Sequence, residues 1–290
     1  MAGADLTRPR PVNVAIVAYH AADRLDRTLA ALGTSASVTV VDNSQSDDVR
    51  TVAERHGAAY VRRPGNDGFA AGVNEALRRF LDGPPTDVLL LNPDARLGGG
   101  DIDVLAAALA RDDRLAAVSP RLVDGRGDPQ RVLWPFPSPQ HAWLEAVGLA
   151  RWQTGPRYAV GAALLLRWEA LREVGLFDER FFLYAEEADW QRRATQHGWR
   201  SAVVEQVTAT HDGAATSSDP HRRELIFHTA HELYIRKWFG SSGWQLYRAA
   251  VVLGAVARAG VLRGGRRRSA AGRALVYLRG PARALERYAS

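Results

Sequence analysis

The apolar positions in the first 94 residues repeat in two ways, as short β-branched runs and as stretches with helical spacing. The runs predict strands, and the stretches between them predict helices. The predicted strands are 12–19, 37–42, 58–63 and 87–94, and the predicted helices lie near 22–33, 47–56 and 68–81. Strands that alternate with helices form parallel βαβ units, so we predict an α/β fold with a doubly wound, mostly parallel sheet and flanking helices.

The rest of the chain continues this pattern and then becomes helical. The further predicted elements are a helix near 101–111, a strand at 116–124, a strand and a short helix within 158–175, and a last strand at 202–211. The stretch 125–156 is rich in Pro and Trp and predicts a long loop region with one short helix. The predicted divisions are a disordered N-terminus at 1–11, a main domain at 12–240 and a basic helical extension at 241–290.

Positive charge is concentrated at the C-terminal end. Residues 258–290 hold nine Arg and one acid, Glu286, a charge of +8, whereas the whole chain carries +6. The main body is therefore slightly acidic, so we expect no nucleic-acid partner. The apolar run from Ala249 to Ala257 is too short to span a bilayer. Together with the arginines that follow, it predicts either an amphipathic helix on an anionic membrane surface or a helix packed on the domain with a solvated end.

The chain has no cysteine, which excludes disulfides, thiolate catalysis and zinc sites built on sulfur. Its N-terminal sequence, MAGADLTRPRP, lacks the apolar core of a signal peptide. We therefore expect a cytoplasmic location, with peripheral attachment at the inner membrane face if the tail binds lipid.

Polar residues end three predicted strands that are far apart in the sequence. Asp42 ends the strand 37–42, Asn92 and Asp94 end the strand 87–94, and His211 ends the last strand. A single Asp at such a position is commonly a turn former or a helix cap. Together these residues indicate a ligand site, because ligands of open α/β sheets bind at the carboxyl ends of the strands.

The sequence Asn92-Pro93-Asp94 predicts a carboxylate that points out of the sheet edge, since proline fixes the backbone there. Asp94 and His211 would form a partial ligand set for Mg²⁺ or Mn²⁺ and leave positions for phosphate oxygens. The glycines of NDGFAAGVN, residues 66–74, permit close approach of the backbone to an anionic ligand at a helix start. Their spacing is not that of a Walker loop.

Three carboxylates fall within four positions of the stretch LYAEEADWQRR, residues 183–193: Glu186, Glu187 and Asp189. On a helix, Asp189 faces two arginines one turn later, which is the arrangement of a surface ion pair. Glu187 finds only a tryptophan and a glutamine at the same spacings. Because it lacks a local cation and has an apolar neighbour, Glu187 is expected to have a raised pKa, suited to a general base.

These motifs resemble those of the family 2 glycosyltransferases of GT-A fold, and within them the bacterial rhamnosyltransferase-like branch. The matching segments are VAIVAYH, VVDNSQSDD, NDGFAAGVNEAL, LLLNPDARL, VGAALLLRWEAL, GLFDERFFLYAEEADWQRRA and ATHDGAATS, in the family's order from residue 12 to about 217. The resemblance implies a GT-A domain at 12–240, with a nucleotide-binding half at 12–100 and an acceptor-side half at 101–240. It also implies an inverting transfer of sugar from a nucleotide-diphosphate donor.

The resemblance assigns roles by motif position. The implied donor-binding residues are Val17, Ala18, Tyr19, Asp42, Asn66, Gly68, Asn74, Asn92 and Asp94, with Asp42 on the nucleotide base. Asp94 is the implied metal ligand, and His211 can complete the shell around Mg²⁺ or Mn²⁺. Glu187 falls where the family usually has the Asp of its ED pair, which makes it the implied general base, with Glu186 and Asp189 beside it. The Glu-Glu pair departs from the family pattern.

The leading hypothesis is transfer of L-rhamnose from dTDP-rhamnose to a glycan or polyprenyl-linked acceptor in cell-wall or polysaccharide assembly. Trp134 and Trp190 are candidates for the acceptor side because sugars stack on aromatic rings, and core packing is their alternative. A UDP-linked donor and a catalytically silent nucleotide-sugar-binding protein at the membrane remain alternatives. A glycoside hydrolase is disfavoured because no second acid is placed for it, and a dinucleotide oxidoreductase because no G-x-G-x-x-G follows the first strand.

Overall fold

The computed structural model describes residues 9–33, 36–213 and 219–289. Its first half contains β1 (Val12–Ala18), α1 (Ala22–Leu32), β2 (Ser37–Asp42), α2 (Asp47–Arg55), β3 (Ala59–Arg62), α3 (Phe69–Leu81), β4 (Asp87–Leu91) and β5 (Ala95–Arg96). Every strand and helix predicted for this half is present. The strand predicted at 87–94 ends earlier, at Leu91, because a turn follows in which the backbone N–H of Ala95 donates to the carbonyl of Asn92 at 3.0 Å.

The second half is more divided than the sequence pattern predicted. Its elements are α4 (Gly99–Ala110), β6 (Leu115–Val123), β7 (Pro129–Gln130), β8 (Leu133–Pro135), α5 (Pro139–Ala146), β9 (Arg157–Ala159), β10 (Ala163–Leu166), α6 (Trp168–Val174), α7 (Glu186–Gln196), β11 (Arg200–His211), α8 (Pro220–Val261), α9 (Gly264–Arg279) and α10 (Pro281–Ala289). The region 125–156 holds two short strands, one 3₁₀ turn and the expected short helix. The single strand expected before α6 is split into β9 and β10.

Within the described residues, nine strands form one sheet in the order β3-β2-β1-β4-β10-β6-β11-β5, with β7 paired to β6. The β1–β2, β2–β3, β1–β4 and β6–β11 pairs are parallel, which confirms the predicted mostly parallel sheet. β10 lies antiparallel between β4 and β6. The strand order reverses at β1, since β2 lies on one side and β4 on the other. Open α/β sheets bind their ligands at such a reversal, beyond the carboxyl ends of the strands.

The sheet is the centre of the hydrophobic core. Every residue of β4 and of β10 is buried, and the apolar side chains of β1 from Val14 onward are buried as well. Continuous apolar runs of this kind belong to strands that are covered on both faces, in contrast to the alternation of half-exposed strands. The chain therefore changes from buried apolar residues to polar residues at the ends of β1 and β4.

The chain divides into two compact units. Unit 1 comprises residues 1–134, 156–182 and 186–216, and unit 2 comprises 135–155, 183–185 and 217–290. Unit 2 contains α8, in which Gly240 adopts a non-helical backbone with φ 67° and separates two helical stretches. No helix in the described ranges combines the length and the apolar character needed to cross a membrane.

Residues 1–8 of the predicted disordered N-terminus lie outside the described residues. Arg10, within the same predicted segment, donates to a carboxylate oxygen of Glu169 at 2.8 Å. The predicted boundaries of the main domain and the extension, at residues 12 and 241, stay predictions.

Candidate active site

Asp94 and His211, the predicted metal ligands, lie together at the carboxyl edge of the sheet. Antiparallel pairing of β5 with β11 sets His211 opposite Ala95, next to Asp94. The Asp94 side chain is buried, and its Oδ1 lies 3.6 Å from Nε2 of His211. Two residues 117 positions apart in the sequence therefore lie side by side, and their role as metal ligands stays a prediction.

Gln130 on β7 holds His211 from two directions, and sequence reasoning missed it. Its Nε2 donates to the His211 carbonyl at 2.8 Å, and its Oε1 lies 3.1 Å from Nδ1 of the same residue. Because an amide oxygen only accepts, Nδ1 donates in this bond, so a neutral imidazole would present the unprotonated Nε2 to Asp94. No local pattern marks Gln130, since its place depends on the antiparallel pairing of β7 with β6.

Thr28 on α1 supports the turn that carries Asp94. Its wholly buried hydroxyl lies 2.9 Å from the Pro93 carbonyl and 3.0 Å from the Ala95 carbonyl. A sequence signal for this residue exists, because Thr28 shares the buried helix face of Leu25 and Leu29 and is the polar member of that apolar stripe.

The Asp94 and His211 pair fits a divalent cation as a partial ligand set. A separation of 3.6 Å is too long for a hydrogen bond, and both atoms could contact one ion at about 2.1 Å. The hydrogen bond that orients the imidazole is the usual arrangement for a metal-binding histidine. Among the residues that the structure describes, no three His, Cys, Asp or Glu side chains form a metal-binding group. Diphosphate oxygens and water would have to supply the remaining ligands.

Asp42 is wholly buried at the end of β2, and its carboxylate accepts hydrogen bonds from neighbouring residues of the protein. It accepts hydrogen bonds from the backbone N–H groups of Ser44 at 2.8 Å and Ser46 at 2.9 Å, and from the Tyr60 hydroxyl at 2.8 Å. Burial, followed by the bond to Asp42, raises the pKa of Tyr60 to about 12. Asp42 thus shapes the loop after β2, and its contact with a nucleotide base stays a prediction.

The remaining predicted donor residues differ widely in exposure. Val17 and Ala18 are buried at the end of β1, whereas Tyr19 is 45% exposed. Asn66 accepts the backbone N–H of Gly68 at 3.1 Å, as in an Asx turn. The N–H of Asn92 donates to the Ala162 carbonyl at 2.9 Å and so links β4 to β10. Their contacts with a donor stay predictions.

The segment 66–74 holds the loop that leads to α7, a role the sequence did not predict. The Asn74 side chain donates to the Phe177 carbonyl at 2.9 Å and to Glu179 at 2.8 Å, and it accepts the Phe177 N–H at 2.9 Å. The N–H of Phe69 donates to the Phe182 carbonyl at 2.7 Å. The two N–H groups and the oxygen of the Asn74 amide all bond to this one loop, so the segment holds the residues that lead into α7.

Gly68→Ala is expected to disturb this contact. Gly68 has φ 96°, and a Cβ there would lie 2.2 Å from the Phe182 carbonyl oxygen. Backbone strain and the overlap should together lower the free energy of unfolding by about 3 kcal/mol in urea titrations. Gly65→Ala is the matched control, since a Cβ at Gly65 meets nothing within 4 Å. Equal stability of the two variants would rule out this positioning role.

The helix α7 begins at Glu186, three residues later than the start of the stretch 183–193. Tyr184 and Ala185 adopt left-handed backbone conformations, with φ 71° and 66°, and cannot belong to it. Consecutive left-handed residues other than glycine are energetically costly and are found mainly at functional sites. The start of the helix puts Glu186, Glu187 and Asp189 in the first turn, where the helix dipole favours negative charge.

Glu186 and Glu187 are neighbouring carboxylates whose charges repel each other. Burial raises the pKa of both, and for Glu186 the adjacent Glu187 charge raises it further. Backbone N–H groups, including that of Gly161, partly offset the rise at Glu187. Both Oε2 atoms are buried and accept no hydrogen bond from the described residues. The pair therefore binds a proton more readily than an isolated Glu, which is the property expected of a proton acceptor that works near neutral pH.

Asp189 has a structural position. The expected surface ion pair is wrong, because Asp189 is wholly buried, although it does pair with Arg193 at 3.2 Å. The Arg193 guanidinium also donates to the carbonyls of Val174 at 2.6 Å and Leu176 at 2.7 Å. Asp189 thus fixes α7 to the end of α6 and the loop after it.

The two tryptophans considered for the acceptor side differ. Trp190 is wholly buried, donates to the Gly175 carbonyl at 2.8 Å and stacks on Phe177. A ring without an exposed face cannot stack on a sugar, so the core-packing alternative holds for Trp190. Trp134 is 40% exposed and lies under the Arg131 guanidinium, 4.1 Å from the ring centre. Its acceptor contact stays a prediction.

Glu186→Gln is expected to stabilise the protein in a pH-dependent way. The pKa of the Glu186 carboxyl is raised in the folded protein, so above the unfolded-state pKa the folded state binds more protons than the unfolded state. The carboxyl therefore lowers the free energy of unfolding as the pH rises through that range. The difference in free energy of unfolding between variant and wild type should therefore grow from pH 4.5 to pH 8. Its full size should be about 1.4 kcal/mol for each unit by which the folded-state pKa of Glu186 exceeds the unfolded value. Urea titrations at both pH values measure this, with exposed Glu54→Gln as control. A gain that does not grow with pH would contradict the paired-carboxylate account.

Solved structures of glycosyltransferases share this fold. A mannosyltransferase from Pyrobaculum calidifontis, in complex with GDP-Man and Mn²⁺, aligns with a TM-score of 0.56 at 18% identity over 97% of this chain and 84% of its own. Glucosyl-3-phosphoglycerate synthase from Mycobacterium tuberculosis aligns with a TM-score of 0.55 at 14% identity, over 80% and 79% of the two chains. The protein therefore has the GT-A fold of the glycosyltransferases.

Sequence relatives identify the family. Residues 9–225 match the family described as Glycosyltransferase like family 2. An N-acetylglucosaminyl-diphospho-decaprenol L-rhamnosyltransferase of Mycobacterium tuberculosis is 30% identical over 264 residues, 80% of this chain and 85% of its own. A low-salt glycan biosynthesis hexosyltransferase of Haloferax volcanii is 25% identical over 209 residues, 69% and 67% of the two chains. The chain belongs to glycosyltransferase family 2 and is an enzyme that transfers sugar from a nucleotide-sugar donor.

Proposed function

We propose that the protein transfers L-rhamnose from dTDP-rhamnose to a polyprenyl-diphosphate-linked N-acetylglucosamine, with a divalent metal, in cell-wall or polysaccharide assembly. The observation that carries the sugar and the acceptor is the 30% identity to the mycobacterial rhamnosyltransferase, which extends over 85% of that protein. The Asp94 and His211 pair supports the metal, and the raised pKa of Glu187 supports the base.

In the proposed reaction, Glu187 is the general base. The acceptor hydroxyl oxygen attacks the anomeric carbon while Glu187 takes the hydroxyl proton. The bond from that carbon to the diphosphate breaks, and its electron pair leaves with the nucleotide. Attack from the side opposite the leaving group inverts the anomeric configuration. The negative charge of Glu186 repels that of Glu187, which favours the state in which the two carboxylates share one proton.

Asp94 and His211 would hold Mg²⁺ or Mn²⁺, and the bound ion would supply positive charge near the departing diphosphate. Thr28 and Gln130 act through these two residues, since one fixes the turn of Asp94 and the other the ring of His211. The exposed ring of Tyr19, at the end of β1, lies at the strand reversal and would contact the nucleotide.

A panel of nucleotide sugars tests the donor. Calorimetry with dTDP-rhamnose, UDP-glucose and UDP-N-acetylglucosamine, each with Mn²⁺, with Mg²⁺ and with EDTA, should give the tightest binding for dTDP-rhamnose with metal. Tighter binding of a UDP-sugar would replace rhamnose by that sugar. Binding without hydrolysis or transfer for every donor would favour the silent nucleotide-sugar-binding alternative.

A further inference from the structure

Within unit 2, the second helical stretch of α8 exposes an apolar stripe. The stripe consists of Leu246, Ala249, Leu253 and Val256. Its three large side chains are each more than half exposed. Spacings of three, four and three residues put these positions on one face of the helix. An apolar face of this kind, left to solvent over three turns, marks an interaction surface.

The opposite face of the same helix is occupied. Trp244, Ala250 and Ala255 are buried there. An added Cβ at Gly254 would lie 3.0 Å from Ala146 of α5, so the two helices are in close contact. Arg248 donates to the Tyr277 carbonyl of α9 at 2.6 Å. The packing of unit 2 is therefore satisfied without the stripe.

Arginines follow the stripe in the sequence. Arg263 and the exposed run Arg266, Arg267 and Arg268 follow the end of α8 directly. Residues 241–290 contain ten arginines and a single acid, Glu286. On α9, Leu275 and Leu278 are about half exposed among further arginines. Apolar side chains and arginines thus occur together on helices that are neighbours in unit 2.

We propose that the stripe and the run Arg266–Arg268 form a surface that docks unit 2 on an anionic phospholipid bilayer. An amphipathic helix with a basic flank lies in the membrane interface, where apolar side chains enter the acyl region and arginines meet the lipid phosphates. Two copies of the chain are a poorer fit, because facing stripes would bring clusters of like charge together. Nucleic acid is a poorer fit, because its phosphates could bind the arginines but would make no apolar contact with the stripe. The inference goes beyond the proposed sugar transfer and concerns unit 2 alone.

Co-sedimentation of the full-length protein with vesicles tests the charge. We expect binding to vesicles of phosphatidylcholine with phosphatidylglycerol and weak binding to phosphatidylcholine alone. Replacing Arg266, Arg267 and Arg268 by Gln should lower the partition on the order of a hundredfold at low salt. The matched control replaces three exposed arginines of unit 1, Arg111, Arg126 and Arg157, by Gln and should leave binding unchanged. Equal loss in both triple variants would overturn the assigned surface.

A second variant tests the stripe. Leu246→Gln, Leu253→Gln and Val256→Gln together should lower the partition at least tenfold, whereas exposed Val104→Gln on α4 should not. Thermal unfolding and calorimetric donor binding without vesicles show that each variant is folded. The proposal would be overturned if the stripe variant bound vesicles as the wild type does. It would also be overturned if an oligonucleotide competed as well as lipid, or if the wild type formed a dimer that only the stripe variant lost. Because vesicle binding needs no donor, its outcome is separate from that of the sugar panel.

Discussion

Glu187→Gln is expected to lower kcat for sugar transfer by about 10²–10⁴-fold and to leave donor binding nearly unchanged. The amide keeps the size of the side chain and removes the group that takes the acceptor proton. Its neighbourhood supports this role, because burial raises the Glu187 pKa while the N–H of Gly161 remains available to its charged form. Initial rates of product formation and calorimetric titration with the donor nucleotide measure the two quantities separately.

Two further variants sharpen this prediction. Glu187→Asp restores the residue that the family usually has at this position and should retain more activity than the Gln variant. Glu186→Gln should reduce transfer less than Glu187→Gln, because Glu186 acts on the proton affinity of its neighbour. The opposite order, with Glu186→Gln inactive and Glu187→Gln active, would move the base to Glu186.

Asp94→Asn is expected to weaken binding of the donor nucleotide in the presence of Mn²⁺ on the order of a hundredfold, and to lower kcat/KM by at least as much. The substitution removes the anionic member of the Asp94 and His211 pair, while Thr28 still holds the turn. The diagnostic result is calorimetric: adding EDTA should weaken binding to the wild type and should have little further effect on the variant.

The matched control for this variant is Asp103→Asn, an exposed carboxylate on α4 nine residues further along the chain. It should retain the wild-type response to metal. If the Asp94 variant keeps the full metal response, the metal ligand lies elsewhere and Asp94 does not have the assigned role.

The sequence predicted the first half of the fold well because its signals are local. The β-branched run of β1 and the helical spacing of α1 each reflect which side chains face the core within a few residues. The division of β9 from β10, and the antiparallel placement of β10 between β4 and β6, were not predicted. A buried apolar run looks the same whichever way the strand points, so direction cannot be obtained from periodicity.

The candidate site was predicted in part, for a related reason. Asp94 and His211 were expected at one edge of the sheet, but Asp94 lies beyond the end of β4, and the antiparallel β5–β11 pair brings it to His211. Gln130 was missed because its position results from an antiparallel pairing at the sheet edge, and Trp190 was considered for a surface that it does not reach. Helical spacing alone gave Asp189 a surface location, although α7 buries that face. Tertiary packing, and not local pattern, decided each of these.

Product analysis with a defined acceptor tests the central claim most directly. The enzyme is incubated with dTDP-rhamnose, Mn²⁺ and a synthetic polyprenyl-diphosphate-linked N-acetylglucosamine, and the lipid product is analysed by mass spectrometry and NMR. We predict the addition of one deoxyhexose, joined with an anomeric configuration opposite to that of the donor, and none with Glu187→Gln over the same time. Product with retained configuration, or equal product from the variant, would contradict the account.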